Sequence, residues 1–370
     1  MKKLLLTCFV AALAFSCSDD DTKPAETQYN YSISLHSQAE VDEFAAKQYT
    51  KTGSVYIEQS SDITDISGLS TITEIEGVLV VRNNAKLKHL YGLENIKNIT
   101  GLIEISINPE LQSLEGMPVL GHFENTITVS YNKSLAELHG LESLTYADQL
   151  IISNNKLLNN LNGLENLKAV GQMQLKYNEA LSSLDGLNQL SEANAISISD
   201  NFELTDVLPL SNLRKINNLA ITGNKKLQSL KGLEGISTLS RLAVEFNFIL
   251  PSLEGLHNLT SVNDISIWSN PSLTTLEHLS SMTAIMQQEG FSGNNFYIRD
   301  NAKLTSLNGL QNITAFTGEV QISDNAALTN LCDAQNILAN GTMKKAPIID
   351  KNLYNPTAQD VAAGTNCSID

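Results

Sequence analysis

The sequence is poor in the residues that usually carry chemistry. Its 370 residues include one tryptophan, four cysteines and six histidines, and only 17% are charged. No Lys/Arg run of useful length occurs and the formal net charge is −16, which argues against a nucleic-acid partner. The histidines (His36, His89, His122, His139, His257 and His278) share no repeated position and no metal-ligand spacing. HExxH, GxSxG, a glycine-rich phosphate loop and CxxC are all missing. The sequence therefore predicts no metal, no cofactor and no enzyme; hydrolase activity is the weakest of the functional readings. No apolar run is long enough to span a bilayer, since the one at the N-terminus covers only Leu4 to Ala14. With 42% hydrophobic residues, the chain can still build a packed core and is too apolar for disorder.

That N-terminal run reads as a secretion signal over residues 1–16. Lys2 and Lys3 form the positive region, Leu4 to Ala14 the apolar one, and small residues precede a cysteine. Ala14-Phe15-Ser16-Cys17 resembles the bacterial lipobox, in which the cysteine is diacylated and becomes the mature N-terminus. Ser18-Asp19-Asp20-Asp21 resembles the signal that sends lipoproteins of Bacteroidetes-type bacteria to the outer face of the outer membrane. The competing reading is an ordinary cleaved signal with an incidental cysteine. The resemblance implies an exported, surface-exposed outer-membrane lipoprotein held by lipid at Cys17, with residues 17–30 as a polar tether. Cys8 would leave with the signal. Cys332 and Cys367 then remain in an oxidising compartment and are expected to pair.

What the sequence has in abundance is repetition. An anchor asparagine falls at 84, 108, 132, 155, 178, 201, 224, 247, 270, 301 and 325, with Ser60 in that role in the first copy. The steps are 24 residues three times, 23 six times, then 31, then 24, giving twelve repeats over residues 52–340. Three residues after the anchor stands Leu in eleven repeats and Ile63 in the first. Six after it stands Leu, Ile or Val. Eight after it stands Gly in nine repeats, with Pro209, His278 and Asp333 as exceptions. Before each anchor runs an alternation such as Ile103-Glu-Ile105-Ser.

The alternation predicts a short strand with β-branched residues inward and small polar ones outward. The apolar residues at every third position predict the inward corners of one coil. A single coil of 23 residues cannot bury that set, so equivalent coils must stack into a continuous core with a parallel sheet. The anchor amide is expected to satisfy backbone groups where the strand turns. The glycine column suits a positive φ or a tight backbone approach.

The pattern LxxLxLxxNxxL resembles the leucine-rich repeat. Ile63-Thr-Asp-Ile66-Ser-Gly-Leu69 and Val207-Leu-Pro209-Leu210 resemble its internalin-like subclass, and the longer phrase LxSLxGLxxLxxVxGxLxIxxN is equally similar to the receptor L-domain repeat. The resemblance covers about residues 52–340 and implies a right-handed repeat solenoid with one long parallel β-sheet. Both families bind ligands, and neither has catalytic residues to carry over.

An open solenoid end exposes strand edges and apolar corners, so each end needs a cover. For the N-terminal cap, residues 31–51, Ser37-Gln-Ala-Glu40 predicts a capping box opening a short amphipathic helix over Val41 to Lys47. For the C-terminal cap, residues 341–370, a Cys332–Cys367 disulfide would staple the tail over the last coil.

Two outward residues per strand form two ladders on the sheet face. Their middle is bland, with small residues that suit a flat parallel sheet. Glu245, Trp268 and Arg299 are consecutive rungs of one ladder, and Tyr297 lies beside Arg299. The long step of 31 residues falls there too, with its extra residues around Met286–Asn294. Exposed Trp, Tyr and Arg dominate interface energetics, and insertions in one coil often line a binding face. These four residues form the candidate ligand patch; the competing reading is a Trp–Arg cation–π pair that merely covers the sheet. Phe246, Ile107, Tyr131 and Tyr177 precede anchors and read as half-buried packing. The expected function is non-enzymatic binding of an extracellular protein or glycan by a monomer. The alternative is a structural or accessory subunit of an outer-membrane surface complex.

Overall fold

The computed structural model describes residues 28–29, 31–286 and 295–369. They form a parallel β-solenoid of about 14 turns. One long parallel sheet of 16 strands runs the length of the stack, and a separate four-stranded sheet of two-residue strands stands at its N-terminal end. The expected strands all form. In the regular coils each is eight residues long, as in Ala169–Lys176 and Glu192–Ser199, paired in register at Met173↔Ile196 and Leu175↔Ile198. The inward leucines are fully buried in one continuous core from Ile33 to Cys367.

The caps are themselves coils. Strand Ile33–Leu35 adds a rung before the first repeat, and Ile348–Asp350 adds one after the last. Helix α1 (Gln38–Ala45) turns the first coil, with Ser37 capping the Glu40 N–H and Val41 and Phe44 buried. The reciprocal half of the cap differs from expectation, because the Glu40 carboxylate takes the N–H of His36 at 2.6 Å. A side chain at Gly68 would strike Ala45 of α1 at 2.7 Å, so the helix lies tight on the first repeat. At the other end α2 (Gln335–Asn340) and α3 (Ala358–Ala363) cover the last coil. Cys332 and Cys367 are disulfide-bonded, closing a sequence separation of 35 residues, a restraint worth about 3–4 kcal/mol on chain entropy.

The anchor asparagines are fully buried and knit the coils together. Asn178 Nδ2 donates to the Ile152 carbonyl at 3.0 Å, and its Oδ1 accepts the Asn155 N–H at 3.1 Å. The bonds satisfy backbone groups where the strand turns, as expected, and they run chiefly to the preceding coil, whose backbone lies only about 4.8 Å away. The column ends on Asn352, in the C-terminal cap, which accepts from Asn325 and whose own N–H is taken by Asn355. The residue before each anchor is left-handed, with φ near +56° even at Ile107. A β-branched residue there costs roughly 1–2 kcal/mol, held by the rest of the coil.

The glycine column has both reasons expected of it. Gly140 has φ +114°, and a Cβ on it would lie 2.0 Å from the Leu114 carbonyl oxygen of the preceding coil. Where the column holds Pro209, His278 or Asp333, and also at Gly68 in the first repeat, the chain makes a 3-10 turn instead, at Leu208–Leu210, Glu277–Leu279, Cys332–Ala334 and Ser67–Leu69.

A second asparagine column, unremarked in the repeat pattern, stands eleven residues after the anchor. Asn95, Asn166, Asn212, Asn258, Asn312 and Asn336 each donate from Nδ2 to a carbonyl of the preceding coil, at 2.6–2.9 Å. These are solvent-facing clamps at the corner opposite the anchors.

Candidate functional site

The main sheet presents its outward residues in strict register. Glu245 pairs with Trp268, Trp268 with Arg299, and Ser266 with Tyr297. All four residues of the predicted patch therefore meet on one surface. Register alone places them, because the 31-residue step adds its extra residues before the strand Asn295–Arg299 and leaves the strand in phase. Residues 287–294 of that insertion lie outside the described residues.

Trp268 touches both neighbouring coils. The Arg299 guanidinium sits 5.3 Å from its ring centroid, and the Phe246 ring lies 4.8 Å away, tilted by 56°. The cation–π pair weighed in the sequence is thus present. Phe246 is a supporting wall of the patch, a role its position before an anchor did not disclose. Its column mates Ile107, Tyr131 and Tyr177 keep about half their surface in water, since the left-handed turn tips them outward.

Arg299 differs from the other arginines. Arg82 bonds Glu58 at 2.7 Å, Arg241 lies 3.7 Å from Asp264, and Arg214 donates to the carbonyls of Ser211 and Leu213. Arg299 has no oxygen partner among the described residues, and its Nε is buried and unbonded. An unmet buried donor is costly, and a guanidinium keeps its charge at any ordinary pH. The rung thus holds one buried donor without a partner.

Acidic groups border it. Burial pushes the Asp264 carboxyl up, against the pull of Arg241 and the backbone N–H of Asn295. Burial also raises the Tyr297 phenol, aided by Glu319 and Asp264, so it stays protonated and able to donate. Glu319 is itself neutralised by Lys345 at 2.9 Å.

The bland middle of the face contains more than its composition suggested. Its small residues floor a shallow trough of about 510 Å³ over four coils. Ser197, Ala220 and Ala243 form the floor, Gln174 and Lys176 one end, and Arg241 and Glu245 the other. Glu245 belongs both to the trough and to the Trp268–Arg299 rung, so the two are continuous. Small rungs bounded by large polar ones were visible in the ladders, but a ladder shows no depth.

Residues 1–16, read in the sequence as a signal, Cys17, read as the lipid-bearing cysteine, and most of the expected tether lie outside the described residues. Among the described residues no helix is long and apolar enough to cross a membrane, and no group of three or more His, Cys, Asp or Glu is placed to hold a metal. The class of protein the fold defines is a parallel β-solenoid with capped ends and an open sheet face. No protein-family model matches the chain, and comparison with curated proteins returns no relative.

Proposed function

We propose that the protein is a non-enzymatic binding module of the leucine-rich-repeat type, carried on the outer membrane by lipid at Cys17. Its sheet face would recognise an extracellular protein or glycan. The observation that carries this reading is the continuity of the trough with the Glu245–Trp268–Arg299 rung. The trough offers polar groups of both signs over a floor of small side chains. The rung offers an aromatic anchor and an unspent guanidinium, the residue types that concentrate binding energy. The lipobox-like Ala14-Phe15-Ser16-Cys17 and the acidic stretch after it support attachment at the cell surface.

The test is an array of glycans and extracellular-matrix proteins probed with the secreted form of the chain, followed by the Trp268→Ala, Arg299→Ala double variant. We expect the variant to bind its array hit at least tenfold more weakly while its melting temperature barely moves. Intact binding with a large loss of stability would reduce the pair to a structural cover of the sheet.

A further inference from the structure

The four-stranded second sheet stops one coil short of its continuation. Its last strand is Asn98–Ile99. The equivalent segment of the next coil, His122–Phe123, opens the strand His122–Ser130, which pairs along one side with Tyr146–Ser153. On its other side that strand meets Ile103–Ser106 only over residues 127–130. Two open strand edges therefore face each other. In the coils around them a backbone bond links each corner to the one before, as in Thr73 N–H to Thr50 O, Lys97 N–H to Thr73 O and Thr145 N–H to Gly121 O. The corresponding bond from Gly121 to Lys97 is missing among the described residues.

Between the edges lies a cleft of about 310 Å³. Asn125 closes its floor by donating from Nδ2 to the Thr100 carbonyl at 3.1 Å, and His122 stacks on Tyr146 at 4.4 Å along the outer wall. Val119 stands at the mouth with 74% of its surface exposed.

Three features of the sequence coincide at the opening. Val119 occupies the position of the second asparagine column, so the clamp that Asn95 makes on Ser70 is not repeated on Glu94. Pro118 beside it has no N–H to offer. An extra residue in His122–Ser130 shifts its register against the following strand between Ala147 and Gln149.

We propose that this cleft is a docking site for an extended segment of a partner protein, with an acidic side chain placed over Lys97. Both walls carry open strand edges, and an extended peptide backbone is the ligand that pairs with such an edge. Charge selects the side chain. Lys97 is exposed at the cleft and has no carboxylate partner among the described residues, whereas Glu124 on the opposite wall is held by His122 at 3.3 Å. The cleft shares no lining residue with the trough or with the Trp268 rung, so it is independent of the ligand reading above. Each wall is short, which predicts modest affinity and fast exchange.

The probe is a fluorescent peptide copying residues 71–77, Thr-Ile-Thr-Glu-Ile-Glu-Gly, because Glu74–Ile75 already pairs with Asn98–Ile99 from the other side. We expect saturable polarisation with the full chain, at least tenfold tighter than with a scrambled peptide. Val119→Asn should restore the clamp, close the cleft and weaken binding at least tenfold without lowering the melting temperature. Lys97→Glu should weaken binding as much and regain it when lysines replace the peptide's glutamates; this charge swap decides the matter if Val119→Asn fails to fold. Equal binding of the scrambled peptide, absence of saturation, or a charge swap without effect would overturn the proposal. So would a concentration-dependent dimer in sedimentation that Val119→Asn abolishes, which would assign the cleft to a second copy of this chain.

Discussion

At the corner that follows each main-sheet strand, asparagine recurs without a gap from Asn84 to Asn352. At the opposite corner it recurs only at Asn95, Asn166, Asn212, Asn258, Asn312 and Asn336, with Val119 among the residues between. Both columns do the same thing chemically: an amide donates to a carbonyl one coil back. They differ in burial. The anchor amides are fully enclosed, so a missing partner there would leave backbone groups without bonds to protein or water. The second column faces solvent, where water can replace a lost amide. A column that cannot be interrupted keeps the main sheet continuous. One that can be interrupted is interrupted at Val119, beside the place where the second sheet stops.

That comparison can be broken by substitution. The largest effect should come from Asn178→Ala, which strands the buried Ile152 carbonyl and the Asn155 N–H. At about 1–3 kcal/mol for each orphaned group, the loss is about 2–6 kcal/mol, read from denaturant unfolding or as loss of amide protection in the neighbouring coils. Asn212→Ala removes an exposed bond to the Asn188 carbonyl and should cost under about 1 kcal/mol. Equal losses at the two sites would refute the difference drawn between the corners.

The smallest effect concerns charge on the main-sheet face. Asp264 is buried and its carboxyl titrates above its ordinary value of 3.8. An acid whose pKa is raised by folding favours the folded state most at low pH, and that contribution is lost as pH rises from 3.8 through the raised pKa. Asp264→Asn should therefore raise the melting temperature slightly at neutral pH and flatten its fall above pH 4, as thermal melts at several pH values would show. A fall in stability at neutral pH would mean that Arg241 at 3.7 Å outweighs the burial.

The repeat was legible because its signals are periodic and local. Anchors, corner leucines and turn glycines are each read at one residue, and stacking makes equivalent residues neighbours, so Glu245, Trp268 and Arg299 could be placed together before any coordinate was known. Three features were not legible for a common reason: each depends on a contact between coils that leaves no mark on a single repeat. The tilt of Phe246 onto Trp268, the depth of the trough above Ala220 and Ala243, and the cleft between Ile99 and Phe123 all arise from how one coil sits on the next. The cleft did leave a trace, since Val119 interrupts a column of asparagines, but that column has many other exceptions and gains meaning only when its bonds are seen.

The sequence by itself determined the coil: its length, its inward residues, its buried asparagine, its glycine turn and the two cysteines that close the stack. Hydrophobic period and backbone geometry act within some 23 residues, and each repeat states them afresh. The tertiary structure decided where adjacent coils close and where they part. That depends on whether donors and acceptors one coil apart find each other, which no single repeat encodes. It turned a run of small residues into a trough, an arginine into an unspent donor beside Trp268, and one valine into the mouth of a cleft.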